Sequence, residues 1–213
     1  MNAGWAGCLG LAIALLAGCK SAGYVKSDAA AASLQEAAAS VRAESRALES
    51  TTGALNDLVN APSGDLRLQF ERYSHSLDQL TAATNHAHGI ASRLERKRTA
   101  YLDAWEKGLL AINDEELRKR SEARKVEVTN QYETTYQHYR ESQDALTPLV
   151  GYSQDVRKAL QADLTVAGLQ AVKPSAASVK DKAATVQGQL TQSATELDDL
   201  GGKMSSFVLQ PAK

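Results

Sequence analysis

The chain of 213 residues carries 24 Lys and Arg against 25 Asp and Glu, so no overall charge draws it to nucleic acid or anionic lipid. Only two Phe, two Trp and seven Tyr are present. With Ala, Leu, Gln and charged residues prevailing, that composition excludes a thick core and suits long helices with narrow apolar seams.

The first apolar run, Cys8 to Leu16, is too short to cross a bilayer and has the length of a signal-peptide h-region. It ends in Leu16-Ala17-Gly18-Cys19, which resembles the bacterial lipobox, where small residues admit the signal peptidase and the cysteine becomes the acylated first residue. Residues 1–18 are therefore expected to be a lipoprotein signal peptide and Cys19 the lipidation site. An ordinary signal peptide or a weak N-terminal anchor is the alternative, since no Lys or Arg precedes the run. Cleavage would leave no free thiol in the mature chain. Lys20 stands where an Asp would resemble the signal for inner-membrane retention, which favours the periplasmic face of the outer membrane. Residues 19–26 form the expected tether, roughly 25 Å at full extension.

Helices follow in chain order. Asp28 suits an N-cap, and Leu34, Ala38, Val41, Ser45, Leu48, Thr52, Leu55 and Val59 fall at alternating steps of four and three, so a helix over 28–59 carries one seam. Asn60-Ala61-Pro62-Ser63-Gly64 stops it, and Ser63 or Asp65 caps the next. The longest seam runs from Leu66 through Phe70, Tyr73, Leu77, Leu80, Leu94, Tyr101 and Trp105 to Ile112, predicting a helix over 65–112 of roughly 70 Å. Asn113-Asp114-Glu115-Glu116 reads as a capped restart. A third helix over 114–163 follows, with a kink expected at Pro148. Its seam is Val128, Tyr132, Thr135, Tyr139, Ser142, Leu146, Leu149, Ser153, Val156 and Leu160. Gly168 and Pro174 suggest a bridge before the last helix, 172–209, with a seam from Ala176 to Phe207.

Four seams joined by short turns predict an all-α fold, a long antiparallel coiled-coil hairpin within an up-down four-helix bundle spanning 27–209. The inner helices are longer by this reading, so the hairpin is expected to project some 20 Å beyond the outer pair as a two-helix coil.

The expected tip, Arg93 to Lys125, holds ten basic against seven acidic residues. Arg98, Tyr101, Trp105, Arg118 and Arg120 are its candidate interaction residues, because Trp and Arg are frequent at binding hot spots. The competing reading is that both aromatics fill the seam and the charges solvate its outside. His86 and His88 point to different sides of one helix and cannot chelate together, while His75 and His138 lie on different helices and could meet. No Gly-rich phosphate loop, nucleophile elbow or His-Glu-x-x-His occurs, so neither an enzyme nor a cofactor is expected. Glu95-Arg96-Lys97-Arg98 is too unspecific to argue for nucleic acid.

Tyr101 and Trp105, then Leu117, Arg118, Ser121, Glu122 and Arg124, then Leu146, Pro148, Leu149, Asp155, Val156, Leu160 and Leu164 carry a resemblance to an uncharacterised bacterial family, domain of unknown function 2959. It spans roughly Ser27 to Leu200 and departs near Gly168 to Pro174. The resemblance implies an envelope protein with long helices and no known activity. The function expected is a non-enzymatic scaffold held to the membrane by acyl chains on Cys19, offering its hairpin to a protein partner or to a second copy. The alternative is a bundle that takes a lipid or small ligand between helices lined by Ala, Ser and Thr.

Overall fold

The computed structural model describes residues 23–207. Four helices account for nearly all of it: α1 (Gly23–Asn60), α2 (Leu66–Leu109), α3 (Glu115–Ala162) and α4 (Val166–Met204). They pack as an up-down bundle in which each helix touches its sequence neighbours and α4 closes back onto α1. Helices α1 and α3 occupy opposite corners, as do α2 and α4. No described helix is long and apolar enough to cross a membrane.

The turns are fixed by local chemistry. Asp65 accepts from the Arg67 amide at 3.0 Å, and Gly64 before it has φ of 60°, a left-handed conformation that only Gly adopts freely. Asp114 caps α3 by accepting from the Leu117 amide at 2.7 Å. Thr165 caps α4 through Gly168, 3.1 Å away. That third turn leaves no space: a methyl group on Gly168 would lie 2.0 Å from the Asp163 carbonyl oxygen.

The predicted seams supply most of the observed core. Leu34, Val41, Leu48, Leu55, Tyr73, Leu77, Leu80, Leu94, Tyr139, Leu146, Leu160, Leu190 and Leu197 are all buried. Three polar seam positions are satisfied within their own helices: Thr84 donates to the Leu80 carbonyl, Ser142 to Tyr139 and Ser153 to Leu149. Side-chain size sets the spacing. Helix α1 contributes Ala30, Ala31, Ala37 and Ala38, and it approaches α2 and α4 closely. At Gly201 a methyl group would come within 3.2 Å of the Ala31 carbonyl oxygen on α1. Between α2 and α3, three buried tyrosines hold the backbones apart and donate to carbonyls of the facing helix. Tyr73 reaches Ser153 at 2.6 Å, Tyr132 reaches Leu94 at 3.1 Å and Tyr139 reaches Ala87 at 2.9 Å. Burial pushes all three phenols well above their ordinary pKa.

Both ends of α4 and the start of α1 differ from the sequence reading, and α2 ends at Leu109 and not 112. Helix α1 is already formed at Gly23, so residues 23–26 are helix and not tether. Asp28 is not its N-cap; its carboxylate accepts from the Ser206 amide and hydroxyl, both at 2.7 Å, and ties the end of α4 to α1. Helix α4 starts at Val166, where Thr165 caps the first turn, and Pro174 lies inside it without ending it. Its other end is Met204: Ser205 turns to an extended backbone and Phe207 is exposed, outside the seam. Helix α3 passes through Pro148 as a single helix. Cys19, the rest of 1–22 and residues 208–213 lie outside the described residues.

Candidate functional site

An up-down bundle brings the α2–α3 turn to the end where α1 begins. Arg93 of α2 pairs with Glu36 of α1 at 3.3 Å, so α1 flanks α2 almost to its last turn. On the other side His138 of α3 meets Glu196 of α4 at 2.6 Å, only eight residues before α4 ends at Met204. Counting back along α3 by the same eight residues places Met204 near Asn130. The first fifteen residues of α3, about 22 Å of helix, therefore run on past the end of α4. The expected two-helix projection is thus altered: α1 accompanies α2, and only the corner belonging to α4 is left open.

That open corner forms a cavity of about 430 Å³. Tyr101, Trp105, Leu109 and Ile112 line it from α2 and the turn, Gly23, Tyr24 and Ser27 from α1, and Met204 to Ser206 from the end of α4. Tyr101 and Trp105 stack obliquely, with ring centroids 5.4 Å apart and planes at 44°. The polar groups here are already engaged. The Trp105 indole donates to the Ser121 hydroxyl at 3.0 Å, and the Ser27 hydroxyl donates to the Met204 carbonyl at 2.5 Å. Burial raises the Tyr101 phenol pKa, opposed by a hydrogen bond with Ser27 and by the Arg124 charge. What remains facing the cavity is mainly ring and methylene surface.

The candidate interaction residues divide between two places. Tyr101 and Trp105 stand together in the cavity wall, half-buried and packed against the core. Arg98 is a structural clasp between α2 and α3: it pairs with Glu95 at 2.8 Å and with Glu133, and lies 5.3 Å from the Tyr132 ring centroid. Arg118 pairs with Glu115. Arg120 is exposed and forms no ion pair with a described residue. Lys125 pairs with Glu106, Arg124 with Glu127 at 2.7 Å, and Lys119 lies 3.7 Å from Glu115. The local surplus of positive charge is therefore largely matched by acids on the same surface, and the aromatic cavity is the distinctive feature of this end.

The family can be stated at this point. The sequence pattern described as protein of unknown function (DUF2959) matches residues 16–204. The chain belongs to the DUF2959 family. No curated protein and no solved structure matches it. The family match takes in all four helices of the DUF2959 chain and starts at the Leu-Ala-Gly-Cys run.

A second polar site lies at mid-bundle and has no counterpart in the sequence reading. Glu44 of α1 is fully buried, and the Gln143 amide of α3 donates to it at 2.7 Å across the diagonal. Glu44 Oε1 and Gln143 Oε1 find no hydrogen-bond partner among the described residues. Burial pushes the Glu44 carboxyl up to about 7, against the opposing effect of the Gln143 bond. The signal for it was a second stripe beside the predicted seam, Ala37, Glu44, Thr51 and Leu58, seven residues apart and all buried.

His75 bonds to Gln79 on its own helix at 3.0 Å, and it does not meet His138. Tyr139, the neighbour of His138, contacts Ala87, twelve residues or about 18 Å along α2 from His75. Among the described residues no group of three or more His, Cys, Asp or Glu side chains could hold a metal ion.

Proposed function

We propose that this DUF2959 chain is a lipid-anchored, non-enzymatic scaffold of the bacterial envelope. It acts by position, as a stiff post that keeps its α2–α3 hairpin end beside the membrane and presents its flanks to a protein partner or a second copy. The observation that carries this reading is one of topology. Cys19 lies only four residues before Gly23, where α1 is already helical, so an acyl-anchored Cys19 holds that end of the bundle within about 14 Å of the lipid. Two or three acyl chains suffice for a stable anchor where one is marginal. The hairpin turn shares that end, so the part of α3 that outruns α4 points toward the anchor.

Lysine at position 20 supports the periplasmic face of the outer membrane as the address. The buried polar groups support a structural role for the interior, since Tyr73, Tyr132, Tyr139 and the Glu44–Gln143 pair join facing helices and Thr84, Ser142 and Ser153 bond within their own. Labelled palmitate tests the anchor. The wild-type chain is expected to incorporate it and to sediment with membranes, while Cys19→Ala incorporates none and loses membrane association. Equal labelling of the two would remove the anchor and with it the proposed role.

A further inference from the structure

We propose that the cavity at the hairpin end binds one acyl chain of a phospholipid from the leaflet that holds the anchor. The inference deepens the proposed function and takes from it only the source of the lipid. Three observations carry the class of ligand. The cavity, about 430 Å³, falls within the range of roughly 300–1,000 Å³ common for small-ligand sites. Its polar groups are spent on one another: Trp105 on Ser121, Ser27 on Met204. A ligand entering it therefore meets ring and methylene surface with few donors left to offer, which suits a hydrocarbon chain and not a sugar or a headgroup.

The surroundings point the same way. Exposed large apolar side chains are concentrated at this end: Tyr24 is 65% exposed, Leu110 79%, Leu117 57% and Phe207 72%. Tyr24 lines the cavity itself, Leu110 follows Leu109 in its wall, and Phe207 follows Ser206 at its rim. Scattered apolar residues need no explanation, but a group at the anchored end of a post, flanking an aromatic cavity, matches a lipid interface, where Tyr and Trp are enriched. Charge does not oppose the contact: Arg118, Arg124 and Lys125 are paired with acids, and Lys26, Lys107 and Lys203, beside the lining residues Ser27, Gly108 and Met204, suit the anionic oxygens of a headgroup at the rim. The cavity arises because α4 stops at Met204 while α3 continues, so it is a consequence of the unequal helices and not of loose packing.

Trp105 is a native reporter within the cavity wall. In a Trp5→Phe chain it is the sole tryptophan, whether or not the first eighteen residues are removed. The full-length protein is reconstituted into phosphatidylcholine vesicles whose acyl chains carry bromine, an efficient contact quencher. An acyl chain in the cavity lies in van der Waals contact with the indole, so emission falls at least about twofold relative to unbrominated vesicles. Adding Ala104→Phe, which fills the cavity from α2, restores most of the emission while the helical circular dichroism is unchanged. Unquenched Trp105 in palmitate-labelled protein overturns the acyl-chain site and leaves the anchor standing. Quenching in a Cys19→Ser chain mixed with the same vesicles, with no palmitate incorporated by the wild type, keeps the site and removes the anchor. Two further outcomes also overturn the proposal: quenching that Ala104→Phe does not relieve, which signifies surface contact alone, and quenching that appears only after residues 208–213 are deleted, which assigns the cavity to the chain's own C-terminal segment.

Discussion

Glu44 is the residue at which burial and charge conflict most directly. Its folded carboxyl titrates at about 7 against an ordinary value of 4.5, because removing a carboxylate from water costs more than one hydrogen bond from Gln143 returns. The proton supplies the donor that this site otherwise lacks. A carboxyl whose pKa is raised by folding stabilises the fold below its unfolded pKa, and that contribution is lost as pH rises from about 4.5 through about 7. The shift corresponds to at most about 3 kcal/mol. In urea unfolding, wild-type stability is expected to fall across this window, whereas Glu44→Gln keeps the amide pairing with Gln143, flattens the slope and is the more stable form above pH 7. A variant with the wild-type slope would contradict this reading. The buried tyrosines behave differently, since each Tyr hydroxyl shares a carbonyl that belongs to a helix. Tyr139→Phe deletes its bond to Ala87 without orphaning a backbone group, so the expected loss is about 1 kcal/mol in the same assay. A loss several times larger would mean that the ring packing depends on the hydroxyl.

At the scale of the helices, close approach and open space can be told apart at two adjacent glycines. Gly201 faces the Ala31 carbonyl of α1, which cannot move aside as a flexible side chain would, whereas Gly202 has nothing within 4 Å of an added methyl. Gly201→Val is expected to destabilise by about 1–3 kcal/mol by forcing α1 and α4 apart. Gly202→Ala is expected to gain up to about 1 kcal/mol from helix propensity, as read from the thermal midpoint. The same pair shows how far the helices were legible in the sequence. A step of four and three residues marks the side of a helix that is buried, so Leu34 to Val59, Leu66 to Trp105 and Val128 to Leu160 could be placed without a structure. Helix ends are decided by single contacts between distant segments. Asp28 looks like an N-cap until Ser206, 178 residues away, takes its carboxylate, and Phe207 continues the seam in spacing although the chain has already left the helix. Pro174 looks like a boundary because proline usually is one, yet a Thr165 cap nine residues earlier had started the helix. Glu44 was concealed by charge: a glutamate between Val41 and Leu48 reads as solvated unless the second stripe is traced beside the first. At the hairpin end, spacing put Tyr101 and Trp105 on one side of α2, where both line the cavity, but the cavity itself depends on where α4 stops relative to α3, and no local pattern records that offset.

For the whole molecule, the unequal helix lengths and the up-down order together define a polar object. One end carries the α1–α2 and α3–α4 turns. The other gathers the start of α1, the hairpin turn, the aromatic cavity and the exposed apolar residues Tyr24, Leu110, Leu117 and Phe207. With α1 spanning 38 residues, the two ends stand about 57 Å apart. The tight Ala-lined contacts of α1 with α2 and α4 favour a stiff body, so orientation at a membrane follows from which end is tethered. The most direct test of the proposed anchoring compares two sites on the full-length protein reconstituted into vesicles. Leu68 and Leu117 are exposed to similar degrees at opposite ends, and each accepts a fluorophore without disturbing the core. Energy transfer to an acceptor on the lipid headgroups is expected to be strong from position 117 and close to background from position 68. Equal transfer from both positions, or stronger transfer from position 68, would contradict a post that stands on its hairpin end.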